Sequence, residues 1–327
     1  MPPFRKLAFV FNSEKPGAAE LAQELLEIAR LGGAKKVKLS GDRKLPPGYF
    51  KDCDACCVIG GDGTLLGTVR GAAAADIPII GVNQGSLGFL TTFSADEARA
   101  QFAALLEGDY RLARRALLDC KTGPRRSDIA LNDVLIKDAK PSRIVRLEVF
   151  ANGQLVTDYT CDGLIFTSPT GSTAYNLAAG GPIIHPAAGV IAMTPICPHT
   201  LSNRTIIFRD DVKLTVVNVS TGTRLLVAMD GQRNMVVTEG SPVEIFGTPQ
   251  VAAIMRNDSK PIQRTGYVQA PRSEPFLYFL GSLVEVFGAC QITVLMRHRP
   301  KILQRVCDVH APGCDLFADL QSSPQEV

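Results

Sequence analysis

Little in the sequence marks a charged or secreted surface. Lysine and arginine number 35 against 32 acidic residues, a formal net charge of +3. That is too little to draw nucleic acid or an anionic membrane without a clustered patch. None of the nine cysteines is spaced like a disulfide framework. Residues 1–6 lead straight into a strand-like run rather than a secretory signal, so a reducing cytoplasm is the expected setting. Cys53-x-x-Cys56 lacks the second ligand pair that a zinc site needs at similar spacing, so no protein-held metal is expected there. A buried strand edge is the better reading of that pair. No G-x-x-x-x-G-K is present, which excludes a Walker-type phosphate loop, and no G-x-S-x-G supports a serine nucleophile elbow. Internal repeats and low-complexity linkers are also missing.

What is there is a globular composition, 46% hydrophobic and 20% charged over 327 residues, enough for two domains with buried cores. The most informative stretch is Ile59-Gly60-Gly61-Asp62-Gly63-Thr64-Leu65-Leu66. An apolar run leads into it and a helix is expected to lead out. A strand, a glycine turn and a helix start aim backbone N–H groups and the positive end of a helix dipole at one point, which suits a phosphate. The unusual residue is the acid. A carboxylate in such a cradle repels its ligand unless it holds Mg²⁺ or takes a proton from an attacking hydroxyl. Asp62 therefore reads as the base of a phosphoryl transfer, with a plain Gly-Asp-Gly turn as the alternative.

Strands and helices alternate through the first part of the chain. Lys6–Phe11 reads as a buried strand, and Ala18–Leu31 as a helix with Leu21, Leu25 and Ile28 on one face and Gly32-Gly33 as its stop. Val37–Leu39, Ala55–Ile59 and Ile77–Val82 read as further strands. A helix is expected over Thr64–Ala75, and Ser94-Ala95-Asp96-Glu97 is a capping box opening another. This alternation predicts an α/β domain over residues 1–120 with a doubly wound, Rossmann-like parallel sheet. Ligands of such sheets sit at the carboxyl ends of strands, where the glycine turn and a second loop, Asn83–Leu90, both fall.

Beyond about Leu117 helical periodicity becomes scarce. Strands are expected at Ile129–Ile136, Ile144–Phe150, Leu155–Tyr159, Leu164–Thr167, Val212–Val219, Leu225–Met229, Met235–Thr238 and Val243–Phe246, with a tight Asn152-Gly153 hairpin. They predict a mostly antiparallel, β-sandwich-like domain over residues 121–250. Within it, Asp162–Pro186 crowds the hydroxyls of Thr167, Ser168, Thr170, Ser172 and Thr173 around glycines and a proline. This reads as a second anion or nucleotide site, with Tyr175 able to stack on a base. His185 and His199 lie beside prolines without a carboxylate partner in sequence and read as second-sphere or structural rather than as an acid–base pair.

Gly60-Gly61-Asp62-Gly63-Thr64, Asn83–Leu90, Ala130-Leu131-Asn132-Asp133, Asp162–Pro186 and Asp230-Gly231-Gln232 occur in the order seen in NAD kinases, and residues 195–202 are similar to another segment of that family. The resemblance covers roughly residues 5 to 250. It implies transfer of a terminal phosphate from ATP or polyphosphate to the 2′-hydroxyl of the adenosine ribose of NAD. Asp62 would activate that hydroxyl, and Gly60, Gly61 and Gly63 would approach phosphates. Asn132 and Asp133 match a pair that bonds ribose and base. Asp162 and the run Thr173, Ala174, Tyr175, Asn176, Leu177 and Ala178 match nucleotide-contacting positions, some reaching across a dimer interface. Arg143 and Gln232 fall where some members contact ligand. Thr160 stands where some relatives carry a basic residue. A divalent cation, Mg²⁺, is implied as cofactor and a homodimer or homotetramer as the assembly.

The Gly-Gly-Asp-Gly turn alone also resembles lipid and sugar kinases, and a non-catalytic nucleotide sensor could share the fold. Asp162–Pro186 speaks against the first and the retained Asp62 against the second. Residues 251–327 form a C-terminal segment in which the resemblance fades, some of it available to pack on the first domain. The chain has no tryptophan, unlike the many members that end in Lys-Leu-Gly-Trp. Phe276–Met296 is mostly apolar but holds Glu285 and Gln291, and a central Glu is costly in lipid, so no membrane span is expected.

Overall fold

The first strand, β1 (Lys6–Phe11), divides its side chains between two cores. Leu7 and Phe9 pack with helix α1 (Ala18–Leu31), while Ala8 and Val10, on the other face, pack with α2 (Asp62–Ala74). The alternation follows from the two-residue period of a strand. It is what lets helices cover both faces of the sheet. The structure is a computed structural model describing residues 2–256 apart from 43, 86–87, 125, 141–142 and 200–203. Residues 1–257 make up one compact unit. The segment 257–327, including Phe276–Met296, lies outside the described residues.

β2 (Lys36–Ser40), β3 (Ala55–Gly60) and β4 (Ile79–Asn83) complete a parallel array in the order β2-β1-β3-β4. A short β5 (Phe93–Ser94) leads into α3 (Ala95–Leu106), which packs with α1. Its capping box forms: Glu97 N–H donates to Ser94 Oγ at 3.2 Å, and Ser94 N–H donates to Glu97 Oε2 at 2.9 Å. Cys56 and Cys57 are wholly buried in β3, and burial pushes both thiols up, as it does that of Cys53.

The rest is β-structure. The strands are β6 (Tyr110–Lys121), β7 (Ser127–Ala130), β8 (Asp133–Asp138), β9 (Val145–Ala151), β10 (Gln154–Cys161) and β11 (Gly163–Thr167). After a single helical turn, α4 (Tyr175–Ala178), come β12 (Val190–Ile196), β13 (Ile206–Arg209), β14 (Leu214–Asn218), β15 (Leu225–Met229), β16 (Arg233–Val237) and β17 (Val243–Arg256). A six-stranded antiparallel sheet runs β13-β12-β11-β8-β15-β16. Strands β9, β10 and β14 join the other sheet, and its antiparallel part closes a sandwich core with the six-stranded one. Val145, Leu147, Val149 and Tyr159 meet Ile136, Phe166, Met193 and Val227 there.

β17 links the two halves of the larger sheet. It is antiparallel to β14 at its start and to β6 along its length, and parallel to β4 at Ala253, opposite Ile79. The parallel array and the antiparallel strands therefore form one continuous 11-stranded sheet. Sequence pattern finds only the first part of β17, because Gly247 and Pro249 interrupt it. The structure absorbs them in a register shift between Thr248 and Val251. β6 escapes notice for a related reason: Arg111, Arg114 and Arg115 break the apolar alternation, and pairing with β17 supplies what local pattern does not. β12 and β13 also lie outside the expected strands. The Asn152-Gly153 hairpin forms with both φ values positive, 49° and 83°, as a type I′ turn requires. Among the described residues no helix is long and apolar enough to cross a membrane.

Candidate active site

β3 ends on Gly60, and Gly61 follows in extended conformation as the N-cap of α2, its carbonyl accepting from Thr64 and Leu65 N–H at 3.0 and 3.2 Å. The helix thus begins at Asp62 rather than near Thr64. Its first turn places the carboxylate at the positive end of the helix. Gly60 has no room for a side chain, because a Cβ there would press on the Thr64 side chain. The Asp62 carboxylate is turned to the Asn83–Leu90 loop: Phe89 N–H donates to Oδ2 at 2.9 Å and Leu90 N–H to Oδ1 at 3.1 Å. Gly88 makes this approach possible, since a Cβ at that position would overlap the carboxylate. Each carboxylate oxygen keeps a lone pair beyond the one so used.

A cleft of about 300 Å³ opens beside the turn, lined by Asn12, Lys15, Gly61, Gly63, Thr64 and Gln232 among others. Lys15 comes from the loop between β1 and α1. Its Nζ donates to Gln84 O at 2.6 Å. It lies 3.2 Å from where a Gly61 Cβ would stand and 3.5 Å from where a Gly85 Cβ would stand. Gln232 reaches the same turn, its Nε2 3.9 Å from the Cβ position of Gly63. A larger cleft of about 910 Å³ continues from Leu45, Gly67, Thr68 and Gln232 toward Lys44, Lys51, Arg70 and Arg233. Arg70 and Arg233 share the buried Asp128, at 3.5 and 2.8 Å.

The expected strand Ile129–Ile136 is broken at Leu131-Asn132. The cause is Asp230, in the turn between β15 and β16. Its carboxylate accepts from the N–H groups of Leu131, Asn132 and Asp133 at 2.9, 2.7 and 3.1 Å, so these amides leave the ladder. Asn132 Oδ1 is buried without a hydrogen-bond partner, an acceptor whose capacity the fold leaves unused. Burial and the Asp230 carboxylate push the Asp133 carboxyl up to about 7. Near neutrality it holds its proton part of the time and can donate as well as accept.

The Asp162–Pro186 stretch divides. Thr167 and Ser168 hydroxyls donate to the Asn132 and Leu131 carbonyls, and Ser172 Oγ donates to Pro169 O at 2.7 Å. All three are fully buried, so these hydroxyls build the loop and do not face a ligand, unlike the expected anion site. Gly171 packs so closely on Asn132 that a Cβ would overlap its backbone. Asn176 is also wholly buried: its amide donates to Ser172 O and Pro182 O and accepts from Thr194 Oγ1 at 2.7 Å. Thr173, Ala174 and Leu177 are half-buried, and Tyr175 and Ala178 are exposed. Asp162 is exposed at the start of β11, whereas Asn132 bonds the far end of that strand. Five strand steps separate them, roughly 17 Å. Arg143 is exposed on the β8–β9 loop.

The geometry thus gathers Gly60, Gly61, Asp62, Gly63 and Gln232 at one turn and Asn132 and Asp133 at a second, with Asp162 and Arg143 outside both. Lys15, Asp230 as a clamp, and the Phe89 and Leu90 amides are not visible from sequence pattern. Only the Asp-Gly dipeptide at residue 230 signals a tight turn.

Residues 50–110 match the family described as the ATP-NAD kinase N-terminal domain, and residues 131–256 that of the ATP-NAD kinase C-terminal domain. An NAD kinase from Geobacter sp. (strain M21) is 34% identical over 273 residues, 78% of this chain and 94% of that protein. The chain belongs to the NAD kinase family. The NAD kinase of Pseudomonas putida (strain W619) is 41% identical over 204 residues, 61% of this chain and 69% of its own length. Among solved structures, yeast NADH kinase complexed with NADH shares the fold at a TM-score of 0.67 and 21% identity, covering 79% of this chain and 85% of that one. An NAD kinase from Archaeoglobus fulgidus in complex with ATP does so at 0.65 and 24%, covering 77% and 94%.

The raised Asp133 carboxyl has a stability consequence. The folded chain keeps this proton up to about pH 7, whereas the unfolded chain releases it near pH 4, so ionisation works against the fold as pH rises between those values. Between about pH 5 and 8 the thermal midpoint of the wild-type protein should fall relative to Asp133→Asn, whose amide does not ionise. Parallel midpoint curves for the two proteins would contradict this.

Proposed function

We propose that this chain transfers the terminal phosphate of ATP or polyphosphate to the adenosine 2′-hydroxyl of NAD, with Asp62 as general base. NAD phosphorylation is the activity of the family. The observation that carries the assignment of the base is the Asp62 carboxylate, fixed at a glycine turn by two amides and without a cationic partner among the described residues. The unsatisfied Oδ1 of Asn132 and the partly protonated Asp133 suit a ribose diol and base edge, which offer both donors and acceptors. Gly60, Gly61 and Gly63 let phosphates approach the backbone, with Gln232 beside them. Thr173, Ala174, Tyr175, Leu177 and Ala178 form a nucleotide-contacting edge that the buried Asn176 holds in place.

In the step itself the hydroxyl oxygen bonds to the terminal phosphorus and its proton passes to Asp62. The bond from phosphorus to the bridging oxygen breaks, and its electron pair leaves with the shortened donor. Among the described residues no group of three or more His, Cys, Asp or Glu could hold a metal ion. Asp42, which lines the cleft, would suit an ion such as Mg²⁺ that arrives on donor phosphates and adds one or two carboxylates. When bound, such an ion neutralises phosphate charge.

We also assign a homodimer or homotetramer, cytoplasmic in location. Asp162 and Arg143 lie away from the glycine turn within one chain, so any contact with nucleotide falls to a neighbour's site. Five of the six described free cysteines are buried, in keeping with a reducing compartment. A lipid or sugar kinase is not favoured, because the family match spans the whole Asp162–Pro186 stretch.

Incubation with NAD, ATP and Mg²⁺ should give NADP, read with an NADP-specific dehydrogenase, and excess chelator should abolish it. Asp62→Asn keeps an acceptor for one of the two amides, since its NH2 group cannot accept from the other, and it cannot take the proton. Turnover should fall about 10²–10⁴-fold with NAD affinity retained. A variant keeping more than about a tenth of wild-type kcat would remove Asp62 as base. Sedimentation at assay concentration should show a dimer or larger, and an active monomer would refute the shared site.

A further inference from the structure

Lys15 is a charged side chain that the proposed chemistry has not yet used. It stands in the cleft beside Gly61, half-buried, with no carboxylate partner among the described residues. Its one bond is to the Gln84 carbonyl, at 2.6 Å. That bond spends one of three ammonium protons, so two remain to be directed elsewhere. Two glycine-bearing segments, Gly60–Gly63 and the start of the Asn83–Leu90 loop, converge on Nζ, at 3.2 Å from the Cβ position of Gly61 and 3.5 Å from that of Gly85. Both positions are held clear by the absence of a side chain, and Gly85 has φ of +110°, which other residues rarely adopt. The arrangement leaves the Lys15 ammonium facing a cleft bounded on the turn side by glycine backbone, with Asp42 also in its lining.

The lining of this cleft does not include Asp62, whose carboxylate points instead to Gly88 and the Phe89 and Leu90 amides. The turn therefore presents a base toward one loop and a cation toward the cleft. That is the polarity an in-line transfer requires, with the deprotonated acceptor at the base and the charged group at the cation. The wider cleft past Thr68 and Gln232, lined by Lys44 and Lys51 among others, gives room for the rest of a phosphate chain.

We propose that Lys15 is a catalytic residue that contacts the terminal phosphate of the donor in the cleft beside Gly61 and holds the charge of the transferring group. It supplies from the β1–α1 loop the positive charge that a Walker loop supplies from its own lysine. The inference rests on the phosphotransfer reading for its role in turnover, but the phosphate site can be tested without it. The hydroxyl proton still passes to Asp62.

Inorganic tripolyphosphate should protect Lys15 of the full wild-type chain from acetylation several-fold, read by mass spectrometry against the exposed Lys35. Lys15→Met keeps the stem and removes the charge. It should lower kcat about 10²–10³-fold, as loss of a transition-state donor does, with KM for NAD little changed. Lys15→Arg should restore part of that rate. Should Lys15→Met fail to fold, the protection measurement decides alone. Unprotected Lys15, or a Lys15→Met enzyme within about threefold of wild-type kcat, would overturn the proposal. So would a lowered thermal midpoint at wild-type kcat, since Lys15 would then only tie its loop to Gln84. If tripolyphosphate protects Lys15 but NAD is never phosphorylated, the acceptor assignment fails and the phosphate site stands.

Discussion

The Asp230 carboxylate accepts from three consecutive backbone N–H groups, those of Leu131, Asn132 and Asp133. Such bonds to an acidic acceptor are among the stronger ones available to a chain. Asp230 sits in left-handed backbone, φ 51°, followed by Gly231 at 61°, in the tight turn between β15 and β16. The same residue therefore sets a turn in one hairpin and a break in a distant strand. At that break the chain leaves the 11-stranded sheet with β7 and enters the six-stranded sheet with β8. The Asn132 carbonyl, released from any ladder, takes the Thr167 hydroxyl and the Ser168 N–H, at 3.0 and 2.9 Å. The loop after β11 is seated in this way. Beyond Gly231, Gln232 is carried to Gly63, and Arg233 turns back to Asp128 at 2.8 Å.

A second constraint couples the two glycine-bearing loops. Asp62 bonds the amides of Phe89 and Leu90, and Gly88 leaves the space for it. Lys15 bonds the Gln84 carbonyl near the other end of the same loop. The loop is held at both ends by charged side chains that flank the glycine turn, so acid and cation are placed by shared contacts. A displacement at Gly88 or Gln84 would move the proposed base or the proposed cation as well as a loop. This is how backbone geometry remote from a ligand can govern catalytic distance.

Most of the parallel half is legible in the sequence, because buried strands and amphipathic helices carry local periodicity. β1 and α1 fall on Lys6–Phe11 and Ala18–Leu31, and the Ser94 capping box opens α3. What is not legible depends on partners far along the chain. β6 is written with three arginines and exists by pairing with β17, and the break at Leu131-Asn132 is imposed by a carboxylate 98 positions away from Asn132. The glycine turn announces itself, since an acid among glycines is chemically odd. Lys15 does not, because a lysine in a surface-like loop has no local signature. Hydroxyls mislead in the opposite sense: Thr167, Ser168 and Ser172 look like ligand donors in sequence, but burial commits them to the carbonyls of Asn132, Leu131 and Pro169.

In the proposed reaction one chemical event occurs at the glycine turn, with the acceptor hydroxyl on the Asp62 side and the donor phosphate on the Lys15 side. A crystal structure of the protein with NAD and a non-hydrolysable triphosphate analogue tests it most directly. The adenosine 2′-hydroxyl should lie within about 3.2 Å of an Asp62 carboxylate oxygen, or one water away, with the terminal phosphate across the turn from it. NAD bound with that hydroxyl out of reach of Asp62, or both ligands on one side of the turn, would contradict the account.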